Sequence, residues 1–217
     1  MGADWKEQAD SAETRSEIYG LLTTVFREEP TEALIKELRG SRLSGAFSTM
    51  ELNLGDSFYN DPVFEVTEAL VLEFTRLFIG PGRHISAHES VFVEVDSGAG
   101  GLWGMKTVEV KKFIESTGLD YEAQFTGLPD HVSVELEFMG KLAALEAGQW
   151  LQKDRKSADY CRSVQRMFLE RHLLCWVFKF CDEVMQRTES PFYLAMVELT
   201  NNFMEFEREC MVSNAAA

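Results

Sequence analysis

Apolar residues spaced three and four apart run through most of the chain. Ile18, Leu21, Leu22, Val25 and Phe26 follow the i, i+3, i+4, i+7, i+8 rhythm of one buried helical stripe, which Pro30 ends. A short second helix opens at Thr31, turns Leu34, Ile35 and Leu38 inward and stops at Gly40. The stretch GSRLSGAFSTMELNLGDSFYND is Gly/Ser-rich and weakly patterned, and reads as a loop holding at most one short helix. Asp61-Pro62 then offers an N-cap followed by proline at the first helical position, and Val63, Val66, Leu70, Phe74 and Leu77 repeat at three and four. Gly80-Pro81-Gly82 breaks that helix.

Beyond the break the helical pattern resumes at about Met105, with Val110, Phe113 and Ile114 on one face and Gly118 as C-cap. A second interruption, GLDYEAQFTGLPDH, precedes a helix from His131 to Gly148 that carries Val132, Leu136, Met139 and Ala143 on one side. Residues 153–188 read as helix broken near His172, and LLCWVFKFC, apolar almost all round, belongs at the centre of a bundle. Ser190-Pro191 opens a last helix along Phe192, Met196, Leu199, Phe203 and Phe206. Only SVFVEVD alternates with the period of a strand, and one strand makes no sheet. The predicted fold is all-α, a helical bundle with two loop interruptions.

Composition narrows the function. A chain of 217 residues with 45% apolar and 12% aromatic content can build a proper core. The excess of 36 acidic over 21 basic residues leaves a net charge of -15, which repels nucleic acid and anionic lipid and admits a basic peptide. No apolar run approaches the ~20 residues that span a bilayer. Neither does a basic-then-apolar start mark a secretory signal, so a cytoplasmic protein is expected. Cys161, Cys175, Cys181 and Cys210 form no C-x-x-C pair and read as reduced and mostly buried.

Candidate chemistry sits in the two interruptions. His84-x-x-x-His88 would suit a metal on a helix, but it follows Pro81 and Gly82 in a loop, and no metal is expected. Asp130-His131 with Glu135 could form an acid–base set; locally, Asp130 reads as the cap of its own helix. Gly98–Gly104 is Gly-rich but lacks the lysine and strand of a phosphate loop. No catalytic residue is assigned. Apolar residues beside loops on an acidic helical protein fit a groove for an apolar, positively flanked peptide.

FTRLFIGPG, HESVFVE, LPDHVSVELEFM, FLERHLLCWVFKF and SPFYLAMVELTNNFMEF, in that order over roughly residues 10–208, resemble the TorD/DmsD family of chaperones for twin-arginine-exported molybdoenzymes. The resemblance implies a cytoplasmic, non-enzymatic chaperone. It would bind the twin-arginine signal peptide and body of an apo-molybdoenzyme precursor and delay export until the molybdopterin cofactor, carried by the client and not by the chaperone, is inserted. It implies a TorD-like bundle of two unequal helical parts, residues 1–117 and 131–217, joined by a hinge at 118–130, as a monomer or a domain-swapped homodimer. Its peptide-binding region falls on Phe74, Leu77, Phe78, Gly80 and Pro81, with Ser90 beyond, and on Asp130 and His131. Given that partner, Asp130, Glu89 and Glu94 are candidates for the guanidinium forks, and Phe74, Leu77 and Phe78 for the apolar segment, unless these three face the core. Gly127 and Leu128 replace the Glu-Pro that many relatives carry before Asp-His, and Gly82-Arg83 stand where some place tryptophan, which leaves client and nucleotide binding open. Two alternatives remain: an assembly factor like a nitrate reductase delta subunit for a non-exported molybdoenzyme, and a nucleotide hydrolase using His131.

Overall fold

The structure, a computed structural model, describes residues 5–93, 104–119 and 127–215, with side chains as far as Cys210. Among these the regular elements are all helical. The chain forms two compact units that interleave along the sequence. The first combines Met1–Arg27 with His88–Val177, the second Glu28–Ala87 with Phe178–Ala217. The hinge expected at 118–130 lies largely outside the described residues.

The first unit is built on α1 (Trp5–Arg27) and α8 (Val132–Leu151), which run along each other, with α9 (Arg155–Arg171) packed on α8. Along α1, Tyr19, Leu22, Val25 and Phe26 are buried, whereas Ile18 and Leu21 are half-buried at the edge of the stripe. The buried face extends back to Ala9 and Ala12, whose small side chains pack with Ala147, Trp150 and Ala158. Close approach of the two helices depends on Gly140. A Cβ there would lie 3.2 Å from Tyr19 Cβ, and Ser16 Oγ donates to Gly140 O at 3.0 Å. A buried carboxylate secures the other end of the packing. Glu146 accepts from Arg15 (3.0 Å), Arg162 (2.6 Å), Trp150 (3.0 Å) and Gln165 (2.9 Å). Burial pushes its pKa up, but these donors outweigh burial and hold it below the ordinary range.

Two short elements complete this unit, α6 (Glu89–Val93) packed on α7 (Met105–Ser116). The stretch expected to be a strand thus begins as a helix, because the first N–H groups of α6 find their acceptors in Asp130; residues 94–96 lie outside the described residues. In α7, Val110 and Ile114 are buried and Phe113 meets Phe168 edge-on at 5.3 Å, as the spacing predicts. Gly118, at φ 74°, ends the turn in the left-handed region that favours glycine. His172 breaks the helix after α9, and a 3-10 turn, Leu173–Cys175, places Leu173 and Trp176 in the core.

The second unit holds α2 (Glu32–Leu38), α3 (Ser41–Thr49), α4 (Asp56–Asn60), α5 (Val63–Phe74), most of α10 (Val177–Arg187) and α11 (Pro191–Ala215). Thr31 caps α2, accepting from Leu34 N at 3.2 Å, and Leu34, Ile35 and Leu38 are buried as expected. Two helices, α3 and α4, stand where a loop with at most one was expected. The link into α4 is closed by Asn53 Oδ1, which accepts from Gly55 N at 2.8 Å, with Gly55 at φ 93°. On α11, Phe192, Met196, Leu199 and Phe203 are buried, but Phe206 is exposed. All four cysteines are free; Cys161 and Cys181 are buried, Cys210 is half-buried and Cys175 is exposed. No described helix is long and apolar enough to cross a membrane.

Candidate functional site

The first set of expected site residues lies in the second unit, where α5 widens into a five-residue π-helix, Thr75–Ile79. Gly80 N closes it by donating to Thr75 O at 2.6 Å. The wider turn re-aims successive side chains, a feature often found at functional sites. Phe74 and Leu77 point inward, 3% and 1% exposed, and so fill the core. Phe78 is half-buried, its ring 5.0 Å from Phe74, 6.1 Å from Phe180 and 6.2 Å from Tyr193. A side chain at Gly80 would crowd the backbone, since its Cβ would meet Thr75 O at 3.1 Å. Pro81 and Ile79 are exposed beside it. Ile85 N donates to Leu77 O at 2.7 Å, tying down the chain after the break.

The second set lies in the first unit. Glu89 N donates to Asp130 O at 2.9 Å and Ser90 N to Asp130 Oδ2 at 3.1 Å, so Asp130 caps α6. Its expected local role, capping its own helix, belongs to His131, whose Nδ1 accepts from Ser133 N at 3.2 Å. His88 and His131 pair as an antiparallel bridge, rings edge to face at 5.0 Å. Burial, His88 and Arg27 together hold His131 down to about 3, so it is neutral at ordinary pH. Burial likewise lowers His88, against the attraction of Asp130. Behind them, His172 Nδ1 lies 3.0 Å from Glu89 Oε2, and Trp176 Nε1 donates to Glu135 Oε2 at 3.1 Å. Burial first, then the neighbouring Glu89 and Asp130, raise Glu135 well above the ordinary carboxylate range, against the hydrogen bond from Trp176.

Glu89, Ser90, Asp130 and Glu135 are wholly buried, so none presents its oxygens at the surface. The expected forks therefore fall on carboxylates that hold the unit together. Glu94 lies outside the described residues. His84 contacts Gly80 O through Nδ1 at 3.1 Å, and no His, Cys, Asp or Glu group among the described residues is arranged to hold a metal ion.

A third region was not singled out by the sequence. In the second unit, α4, α5 and the corner between α10 and α11 enclose an open cavity of 660 Å³. Phe58, Phe192, Leu54 and Leu70 form its buried floor, with Phe58 and Phe192 stacked at 5.6 Å. Asp61, Glu65, Glu73 and Glu189 stand around it with Arg76 and Arg187. Both arginines are engaged: Arg76 forks Glu73 at 2.7 and 2.6 Å, and Arg187 donates to Arg83 O at 2.6 Å and pairs with Glu183. The Arg76 hydrogen bond, aided by Thr188, holds Glu73 below the ordinary range against burial. Sequence reasoning missed the region because its floor joins α4, which has no clear period, to the start of α11. The one local signal was the bulky Phe58 beside the acidic pair Asp56 and Asp61.

The profile of the nitrate reductase delta subunit family matches residues 49–182. A chaperone protein TorD of Photobacterium profundum is 27% identical over 90% of this chain and 93% of its own. A perchlorate reductase assembly chaperone protein of Dechloromonas aromatica is 31% identical over 69% of this chain and 63% of its own. Among solved structures, a redox enzyme maturation protein of Archaeoglobus fulgidus superposes with a TM-score of 0.52 at 21% identity, covering 88% of this chain and 92% of the other, a likeness of fold. The resemblance carried by the separated motifs thus holds along nearly the whole chain. The chain belongs to the nitrate reductase delta subunit family, the group of TorD-like chaperones of redox enzyme maturation.

Proposed function

We propose that the protein is a cytoplasmic chaperone that binds the twin-arginine signal peptide and apo form of a molybdopterin-dependent oxidoreductase, delaying export until the cofactor is inserted. The observation that carries this reading is the likeness over nine-tenths of the chain to a protein named as a chaperone. The local chemistry favours binding over turnover. His131, which a nucleotide hydrolase would use, is spent on capping α8, and the neighbouring Asp130 carboxylate caps α6. Among the residues carried over from the family, Phe78, Gly80 and Pro81 keep accessible surface at the π-helical break, and the leader is expected to touch them there.

The test is capture of the tagged protein from its host under anaerobic respiration. A molybdoenzyme precursor still carrying its leader is the expected catch. Replacing the leader's two arginines by lysines should then weaken binding by about tenfold, since lysine lacks the planar fork. Equal binding of a leaderless apoenzyme would favour the assembly-factor reading instead.

A further inference from the structure

We propose that the 660 Å³ cavity of the second unit seats a client polypeptide segment, with Asp61 and Glu65 receiving its basic side chains and the Phe58–Phe192 floor its apolar ones. This rests on the chaperone reading and gives it a place on the molecule. The volume lies within the range of ligand sites, and the combination of apolar floor and few polar groups is what such sites share.

Charge decides the kind of ligand. Four carboxylates face two guanidiniums, and each guanidinium is already met by an acidic side chain, Glu73 for Arg76 and Glu183 for Arg187. Asp61 and Glu65 are exposed; Arg39 donates to the backbone carbonyl of Asp61 at 2.8 Å, and among the described residues no ion pair or hydrogen bond engages either carboxylate. A phosphate or other anion finds both lining guanidiniums already committed and only the Ser57 and Ser190 hydroxyls to offer a proton, whereas a cation finds two uncommitted carboxylates.

Exposed apolar surface decides its length. Leu72, 73% exposed, lies on α5 three residues beyond Ala69 and seven beyond Glu65, so all three share one face of the helix. Phe64, beside Glu65, and Tyr59, edge-on to Phe58 at 5.2 Å, are also exposed. Apolar surface that continues outside the cavity fits an extended segment and exceeds the needs of a small cation. A second copy of this chain, itself carrying a net charge of -15, would bring like charge to an acidic rim.

The probe is a labelled synthetic peptide with two adjacent arginines followed by a leucine- and phenylalanine-rich stretch, followed by fluorescence anisotropy. Phe58 and Phe192 are core residues, so the variants are placed at exposed positions. Asp61→Asn with Glu65→Gln should weaken binding by about tenfold and flatten its dependence on salt. Ala69→Arg, which puts bulk and positive charge into the cavity, should weaken it at least as much. Glu13→Gln, exposed on α1 of the first unit and outside the lining, should leave it unchanged.

Unchanged affinity in the double variant or in Ala69→Arg overturns the assignment while peptide binding itself stands. Equal loss in Glu13→Gln overturns it too, by reducing the effect to net charge. A dimer of the free protein that Ala69→Arg dissociates would give the cavity to self-association. If the unaltered protein binds neither this peptide nor a leader-bearing precursor, the chaperone reading fails along with it.

Discussion

Asp130 stands two residues ahead of α8, yet its carboxylate serves α6, a helix supplied by a segment forty residues earlier (|i−j|=40). Its type and position, after Pro129 and before an apolar run, made a local cap the natural reading, and nothing in the period of the chain could reveal the distant donor. The consequence is measurable. Asp130→Ala strands the buried Ser90 N–H and should cost about 1–2 kcal/mol in urea unfolding, whereas Asp130→Asn, which keeps an acceptor oxygen, should cost much less. Equal losses in the two would show that the charge matters and the cap does not. His131 makes a second prediction. Unfolded, its imidazole takes up a proton near the ordinary value of about 6.5; folded, buried and beside His88 and Arg27, it does so only at about 3. Its contribution to stability is therefore intact above the unfolded value and is lost as pH falls from there towards the folded one. His131→Asn, which can still cap but does not titrate, should flatten the slope of unfolding free energy against pH in that window.

Helices with a sustained apolar period were legible from sequence. The stripes of α5, α7, α8 and α11 bury most of the residues their spacing selects, Phe206 at the far end of α11 being exposed, because a helix face that must meet a core cannot hide its rhythm. What escaped were elements whose form is set from outside. Glu89–Val93 alternates like a strand but coils because Asp130 meets its N–H groups. Ser41–Thr49 buries only Phe47 and so shows almost no stripe. Small residues hid as well, and Gly140 reads as a weak point in α8 although it is where α1 comes closest. Gly140→Ala sets a methyl 3.2 Å from Tyr19 Cβ, and thermal unfolding should show a loss of about 1–3 kcal/mol, the usual toll of overpacking. Gly20 on α1, where an added Cβ would meet nothing within 4 Å, should accept alanine without loss or even gain stability.

For the whole molecule, the family and the all-helical fold could be read from ordered motifs, and the acidic balance pointed to a cationic partner. The placement of the site could not. Of the expected site residues, Phe74 and Leu77 are buried in the second unit and Glu89, Ser90 and Asp130 in the first. The region that combines exposed acids with an apolar floor draws on α4, α5 and α11, which only the folded chain brings together.

The interleaved layout bears on how the chain is made. Translation delivers α1 first, but the helix it rests on, Val132–Leu151, comes only after the whole of residues 28–87 has been committed to the other unit. That unit in turn waits for α11, whose Tyr193 and Phe192 close over Phe78 and Phe58. Nascent α1 thus carries the stripe from Tyr19 to Phe26 uncovered through much of synthesis, and neither unit can be recovered as one continuous fragment. A chain stopped at residue 117 should leave both units open, each missing a wall, and should be found with the cell's general folding machinery rather than as a free half.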